Sequence, residues 1–215
     1  IQSKADSVCL VAKSWDYHVR VALGCSNEEN LENIADSVKA VGASGKEMLI
    51  DCEHFFDGYK ANPEYALACA RTAYESGARW VVLCDTNGGT QPFEVARIVR
   101  EVIEAGIPGD ILGIHAHNDT DQAVANSLAA VDAGVRQIQG TLNGIGERCG
   151  NANLVSIIPT LVLKPHYRDR FETGVDDARL ADLTHVSRSF DELLNRSPNR
   201  QAPYVGKSAF ATKAG

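Results

Sequence analysis

Two histidines separated by one residue, His115 and His117, stand at the end of a short apolar run. Side chains two residues apart on a strand point to the same face, so both imidazoles can reach one cation. That spacing suits a divalent metal ion. The alternative is a pair of ordinary surface or capping histidines, which an isolated His-x-His is more often.

A second candidate ligand follows in residues 143–151, with sequence Asn-Gly-Ile-Gly-Glu-Arg-Cys-Gly-Asn. Its glycines at 144, 146 and 150 permit tight backbone turns. Such a loop can bring Asn151 to the same cation as the two histidines. The alternative is a structural turn in which Glu147 and Arg148 form a plain ion pair.

Further reactive side chains follow three other apolar runs. Glu53 ends one of them, where a carboxylate could take part in acid-base chemistry, although a solvated carboxylate is the simple alternative. Thr86 lies in Asp-Thr-Asn-Gly-Gly, which could hold a substrate carboxylate through the hydroxyl and backbone amides, or could simply be a turn. His18 follows the first run and could line the mouth of a site.

The apolar runs that carry these groups are rich in branched residues and are predicted to be buried parallel strands. They cover residues 8–12, 47–52, 80–85, 111–115 and 137–142. Helical patterns with start and stop signals lie between them. Ser26 with Glu29 is a capping box, Asn62-Pro63 and Pro92 begin two further helices, and Gly134 ends another. This alternation predicts βαβ units on a parallel sheet.

A barrel and a doubly wound sheet both fit that alternation. Every predicted strand here runs into polar residues at its carboxyl end, which favours a TIM (β/α)₈ barrel, because a doubly wound sheet concentrates its chemistry at one switch point. Five strands cannot close a barrel of eight. We therefore predict the C-terminal part of a TIM barrel, about strands 4 to 8, over residues 1–165, and the start of an appended helical region over 166–215, with a helix at 178–194.

Composition excludes several classes of protein. The chain has 215 residues and a net charge of -7, without a basic stripe, which argues against nucleic-acid binding. It has neither an apolar run long enough for a membrane span nor a signal-peptide pattern at its start. Its six cysteines include no Cys-x-x-Cys pair, so we expect no disulfides and a cytoplasmic location.

Residues 115–134 and 139–154 together resemble the metal-binding strand and the Gly-Glu-Arg-x-Gly-Asn loop of the isopropylmalate, homocitrate and citramalate synthase family, within the DRE-TIM metallolyases. Residues 51–67 and 80–92 resemble its citramalate-type branch. The resemblance implies a metal-assisted condensation of acetyl-CoA with a 2-oxoacid, pyruvate by preference, using Mg, Mn or Zn. It also implies a homodimer for the full-length enzyme and a place in isoleucine biosynthesis.

Carried over to this sequence, the resemblance makes His115, His117 and Asn151 metal ligands, Thr86 the carboxylate-binding residue and Glu53 the acidic partner of a catalytic histidine. That histidine would follow Gly215, and the family's Asp-x-x-x-Arg-Asp strand has no counterpart here, so we predict that the chain alone is inactive. The alternatives are an isopropylmalate or homocitrate synthase, a hydroxymethylglutaryl-CoA lyase-like enzyme and a non-catalytic fragment.

Overall fold

The computed structural model describes residues 2–212 and contains one parallel sheet within that range. Its strands are β1 (Ser7–Lys13), β2 (Glu47–Glu53), β3 (Trp80–Asp85), β4 (Leu112–Ala116) and β5 (Gln137–Gln139). They lie in the order β1-β2-β3-β4-β5, so every strand pairs with its neighbour in the sequence. A doubly wound sheet would reverse direction at a switch point. The unreversed order is that of a TIM barrel, as predicted.

Helices connect the strands, and their start signals are those read in the sequence. The Ser26 side chain accepts a hydrogen bond from the Glu29 amide (3.1 Å), and Asn62 accepts one from Tyr65 (3.2 Å). The helices are α1 (Asp16–His18), α2 (Asn27–Ala43), α3 (Phe55–Ala61), α4 (Pro63–Glu75), α5 (Pro92–Glu104), α6 (Ala123–Ala133), α7 (Leu154–Leu163), α8 (Pro165–Arg168), α9 (Asp177–Ala181) and α10 (Leu183–Leu193). Val19–Leu23 form a π-helical turn, and Gly109–Ile111 and Leu142–Gly144 form 3₁₀ turns.

The two faces of the sheet differ in chemistry. The face covered by helices carries apolar side chains such as Ile50, Leu83 and Ile114, each at most 1% exposed. Burying one such side chain stabilises the fold by roughly 1.5–3 kcal/mol. Because side chains alternate along a strand, residues such as Asp51 and His115 point to the opposite face. The apolar face therefore anchors the sheet, and the other face is left to carry polar groups.

Two sequence expectations were wrong in detail, and one helix was missed. The fifth strand was predicted to reach residue 142, but it ends at Gln139, and Asn143 takes a left-handed conformation (φ 58°) in the following 3₁₀ turn. The single helix predicted at 178–194 is two helices, because the Asp182 amide donates to Arg179, three residues back, and interrupts the α-helical pattern. Helix α3 was not predicted, since its seven residues are too few to show a clear period.

Contacts divide the chain into two compact units, one ending at Gln139 and the other beginning at Gly140. The first holds the sheet with α1 to α6, and the second holds α7 to α10. The domain boundary at residue 165 stays a prediction. Across residues 2–212, none of the helices has both the length and the apolar character needed to cross a bilayer.

Candidate metal and substrate site

The two histidines of the predicted metal site lie side by side. His115 is in β4 and His117 follows the end of that strand, and their rings stack with centroids 5.1 Å apart and planes 10° apart. The His117 amide donates to the Asp85 carbonyl (3.2 Å), which fixes the ends of β3 and β4 together. The structure therefore places the two imidazoles side by side at the carboxyl edge of the sheet. Their role as ligands stays a prediction.

His115 belongs to a hydrogen-bond network with residues on neighbouring strands. Its Nδ1 lies 2.8 Å from Gln139 Oε1 and 3.3 Å from Asp51 Oδ2. Gln139 Nε2 donates to Asp51 Oδ1 (2.8 Å), and the Cys9 thiol donates to the same oxygen (3.3 Å). Sequence reasoning missed Asp51, Gln139 and Cys9, although the inward alternation of β1, β2 and β5 places all three on the polar face of the sheet.

Contacts within this network shift the pKa values of His115 and Cys9. The hydrogen bond with Asp51 raises the pKa of His115 above its ordinary value, and burial of the ring opposes that rise. Burial raises the pKa of Cys9 to about 12, and the nearby charge of Asp51 adds to the effect. The Cys9 thiol is therefore protonated at neutral pH and acts as a donor to Asp51.

A cluster of three potential ligands also occurs among the described residues. One ligand atom each from Asp51, Cys84 and His115 lies within 4.8 Å of the others. Burial raises the pKa of Cys84 well above its ordinary value, which favours the thiol over the thiolate that metals bind. The imidazole nitrogen of His115 and the carboxylate oxygens of Asp51 are donor atoms that suit zinc, manganese or magnesium.

Glu53 forms an ion pair with Lys13, a contact that was not predicted from the sequence. Lys13 of β1 is the register partner of Glu53 of β2, and the Lys13 ammonium contacts the Glu53 carboxylate. Each side chain is 26% exposed. The signal for this pair was present in the sequence, because the predicted strands 8–12 and 47–52 are each followed directly by a charged residue and the two charges are opposite. The pair holds the carboxylate in place at the same edge as the histidines.

Thr86 and His18 lie close to Glu53 through His54, the residue after it. The Thr86 hydroxyl accepts a hydrogen bond from the His54 amide (2.8 Å). The His54 ring meets His18 edge to face at 4.4 Å, and Trp15 lies 4.8 Å from His18 on another side. Burial lowers the pKa of His18, and the nearby His54 and Lys13 lower it further. The structure thus gathers the predicted substrate-binding residues at the ends of β1, β2 and β3.

Gly88 allows the turn after β3 to pack against the segment that follows β4. Its φ is +62°, and a Cβ at this position would lie 2.8 Å from both the His117 carbonyl oxygen and the Asp119 amide nitrogen. Any other residue would clash with that backbone and adopt a strained conformation. The close approach holds Thr86 and His117 at neighbouring positions.

Asn151, the third predicted metal ligand, lies in the second compact unit. It is 9% exposed, and its amide donates to the Gly144 carbonyl (3.1 Å). Gly144 (φ +67°) and Gly150 (φ +96°) have the left-handed conformations that the tight loop was expected to need. Glu147 and Arg148 are 3.6 Å apart and largely exposed. The loop turns tightly as predicted, and metal binding by Asn151 stays a prediction.

Comparison with known proteins identifies the family. Residues 1–186 match the HMGL-like family model. The chain belongs to the HMGL-like family. An (R)-citramalate synthase from Geobacter sulfurreducens is 52% identical over 215 residues, which are 100% of this chain and 39% of that protein. A probable 2-isopropylmalate synthase from Methanopyrus kandleri is 35% identical over 216 residues, which are 100% of this chain and 41% of that protein.

This HMGL-like chain also shares its fold with solved structures. An HMG-CoA lyase from Bacillus subtilis superposes with a TM-score of 0.74 at 20% identity, covering 91% of this chain and 66% of the lyase. That likeness shows the barrel-type fold alone. Because the chain spans about 39% of the length of its citramalate synthase relative, the activity and substrates of the whole protein are matters for proposal.

Proposed function

We propose that the complete protein containing this chain condenses acetyl-CoA with pyruvate to give citramalate. The observation that carries the proposal is the stacked pair His115 and His117 at the sheet edge that also holds Glu53 and Thr86. The choice of pyruvate is supported by the higher identity to the citramalate synthase, 52% against 35% for the probable isopropylmalate synthase.

His115 and His117, with Asn151, would hold one divalent ion, either Mg, Mn or Zn. The imidazole nitrogens at this edge fit such an ion, because their rings are parallel and lie on one side of the sheet. When bound, the ion supplies Lewis-acid polarisation of the oxoacid ketone and stabilises negative charge on its oxygen. The protein must then orient the oxoacid and manage the proton taken from acetyl-CoA.

Thr86 would bind the carboxylate of the oxoacid through its hydroxyl, with its backbone held by the turn at Gly88. Glu53, whose carboxylate is fixed by Lys13, would orient the general base that removes a proton from the acetyl methyl group. His18 would line the entrance beside His54. Glu53 ends β2 and Thr86 directly follows β3, so the proposed proton-handling and carboxylate-binding groups would lie on neighbouring strands.

The base takes one methyl proton, and the resulting enolate carbon forms a bond to the ketone carbon of pyruvate while the ketone oxygen gains a proton. Water then cleaves the thioester, releasing CoA as a thiol and leaving the second carboxylate of citramalate. Binding of both reactants in one orientation supplies much of the rate enhancement for such a bimolecular step.

The test is a thiol-release assay on the complete gene product with acetyl-CoA, Mn²⁺ and each of three oxoacids. We expect pyruvate to give the highest kcat/KM. A preference for 2-oxoisovalerate or 2-oxoglutarate would move the proposal to an isopropylmalate or homocitrate synthase. Absence of thiol release with all three would refute condensation and leave the lyase and the non-catalytic fragment as the alternatives. Size-exclusion chromatography with light scattering tests the proposed homodimer.

A further inference from the structure

We propose that Asp51 and Gln139 are positioning residues for His115, holding its ring with a hydrogen on Nδ1 so that Nε2 is the metal-binding nitrogen. Asp51, on β2, and Gln139, on β5, are 88 residues apart in the sequence. The inference rests on the proposed function, because it takes His115 as a metal ligand. It adds which nitrogen binds the ion and which residues determine this.

The Asp51 carboxylate determines the orientation of the Gln139 side-chain amide. Gln139 Nε2 lies 2.8 Å from Asp51 Oδ1. A carboxylate oxygen accepts hydrogen bonds and cannot donate them, so the NH₂ end of the amide must face Asp51. The Gln139 carbonyl oxygen consequently faces away from Asp51, toward His115.

The two oxygen atoms around His115 Nδ1 determine which ring nitrogen carries the hydrogen. His115 Nδ1 lies 2.8 Å from Gln139 Oε1 and 3.3 Å from Asp51 Oδ2. Both oxygens are acceptors, so Nδ1 must be the donor. A neutral imidazole carries one hydrogen, and with that hydrogen on Nδ1 the lone pair lies on Nε2. The network thus selects one of the two tautomers.

The strands of the sheet hold the hydrogen-bond network around His115 rigidly. His115 and Gln139 are register partners on adjacent strands, and the Asp51 side chain is only 10% exposed. Cys9 of β1 also donates to Asp51 Oδ1, so the network joins side chains from four strands of the sheet. Because these side chains are fixed on strands of one sheet, they lose little conformational freedom when an ion binds. A metal-ligating histidine usually donates its other ring N–H to a carboxylate, a carbonyl oxygen or water. Mutating that acceptor typically weakens metal binding by about 10–100-fold.

The inference differs from direct binding of an ion by Asp51, Cys84 and His115 Nδ1. An ion on Nδ1 would replace the hydrogen that Gln139 and Asp51 accept and would break both hydrogen bonds. An ion on Nε2 preserves them. The two arrangements therefore predict opposite behaviour of the two ring nitrogens when metal is added.

The first experiment measures Mn²⁺ affinity of the complete gene product from the EPR signal of the free ion. Gln139→Met removes the acceptor at similar side-chain size and is expected to raise the Kd for Mn²⁺ by about 10–100-fold. Gln137→Met is the matched control, on the same strand and the same face. Among the described residues, Gln137 Oε1 has no hydrogen-bond partner, so this variant is expected to leave the Kd unchanged. Unfolding midpoints of both variants show whether a loss of affinity reflects a loss of structure.

The second experiment needs no substitution at Asp51 or Gln139. In ¹⁵N-histidine-labelled protein, His115 is expected to show a protonated Nδ1 and an unprotonated Nε2, and added Zn²⁺ should shift Nε2 while Nδ1 keeps its hydrogen. His115→Gln identifies the resonances. A hydrogen on Nε2 without metal, or loss of the Nδ1 hydrogen with it, overturns the inference.

These outcomes separate the inference from the proposed function. If the unsubstituted protein binds Mn²⁺ and Gln139→Met binds it equally well, the positioning role is wrong and the metal site stands. If the unsubstituted protein binds no divalent ion, the metal site fails, and the positioning role fails with it.

Discussion

Replacing Asp85 with asparagine is expected to destabilise the protein by about 2–4 kcal/mol. Asp85 ends β3, is 1% exposed, and uses both carboxylate oxygens. Oδ1 accepts from the Thr90 hydroxyl (2.8 Å) and the Thr90 amide (3.3 Å), and Oδ2 accepts from Asn126 Nδ2 (3.1 Å). Asparagine keeps the shape of aspartate but replaces one acceptor with a donor.

The size of the expected loss of stability follows from the hydrogen-bond partners of Asp85. The new NH₂ group would face either Asn126 Nδ2 or the Thr90 amide, so two donors would oppose each other. Asn126 could rotate its own amide to accept from the new group, but Nδ2 would then leave the Thr90 carbonyl to which it now donates (2.8 Å). At least one buried polar group loses its partner, at about 1–3 kcal/mol, and the charge-assisted bonds to the carboxylate are lost in addition. Part of this loss is offset, because burial raises the pKa of Asp85 and the neutral amide avoids the cost of burying a charge.

Urea unfolding of the complete protein, followed by circular dichroism, measures this loss. Asp110→Asn is the matched control, because Asp110 is exposed and should change stability by no more than about 0.5 kcal/mol. An Asp85→Asn protein as stable as the Asp110→Asn protein would refute the reasoning that both carboxylate oxygens of Asp85 are needed as acceptors.

Four further predictions concern the site and its frame. Gly88→Ala should weaken both stability and Mn²⁺ affinity, because the added Cβ would lie 2.8 Å from the His117 carbonyl; unchanged affinity would contradict the role given to this turn. Lys13→Met should raise the pKa of His18 toward its ordinary value of 6.5, since the Lys13 charge helps to lower it, and an NMR titration of the His18 ring checks the direction. Glu53→Gln should lower kcat of the complete protein by about 10²-fold or more without a comparable change in Mn²⁺ affinity; a purely structural carboxylate would leave kcat unchanged. The 215-residue chain by itself should form no citramalate in a mass-spectrometric assay, and product formation by it would overturn that expectation.

Much of the frame could be predicted from the sequence because the signals are local. Branched apolar runs mark the strands, and Ser26 and Asn62 begin helices as predicted, since a helix cap needs only residues three positions apart. The pairing of His115 with His117 was predictable for the same reason, because alternation along one strand puts both on one face. The tight turns of the loop at 143–151 were predictable as well, since glycine adopts the left-handed conformation without strain and Gly144 and Gly150 adopt it here.

The partners of those residues were decided by tertiary structure. Lys13 meets Glu53 across 40 residues of sequence because β1 and β2 are in register, and Gln139 reaches Asp51 across 88. The register of distant strands depends on how the helices pack on the apolar face, which no local pattern contains. The sequence by itself therefore determined which side chains lie at the carboxyl ends of the strands. The folded sheet decided which of them touch, because hydrogen bonds between strands depend on distances that only long-range packing sets.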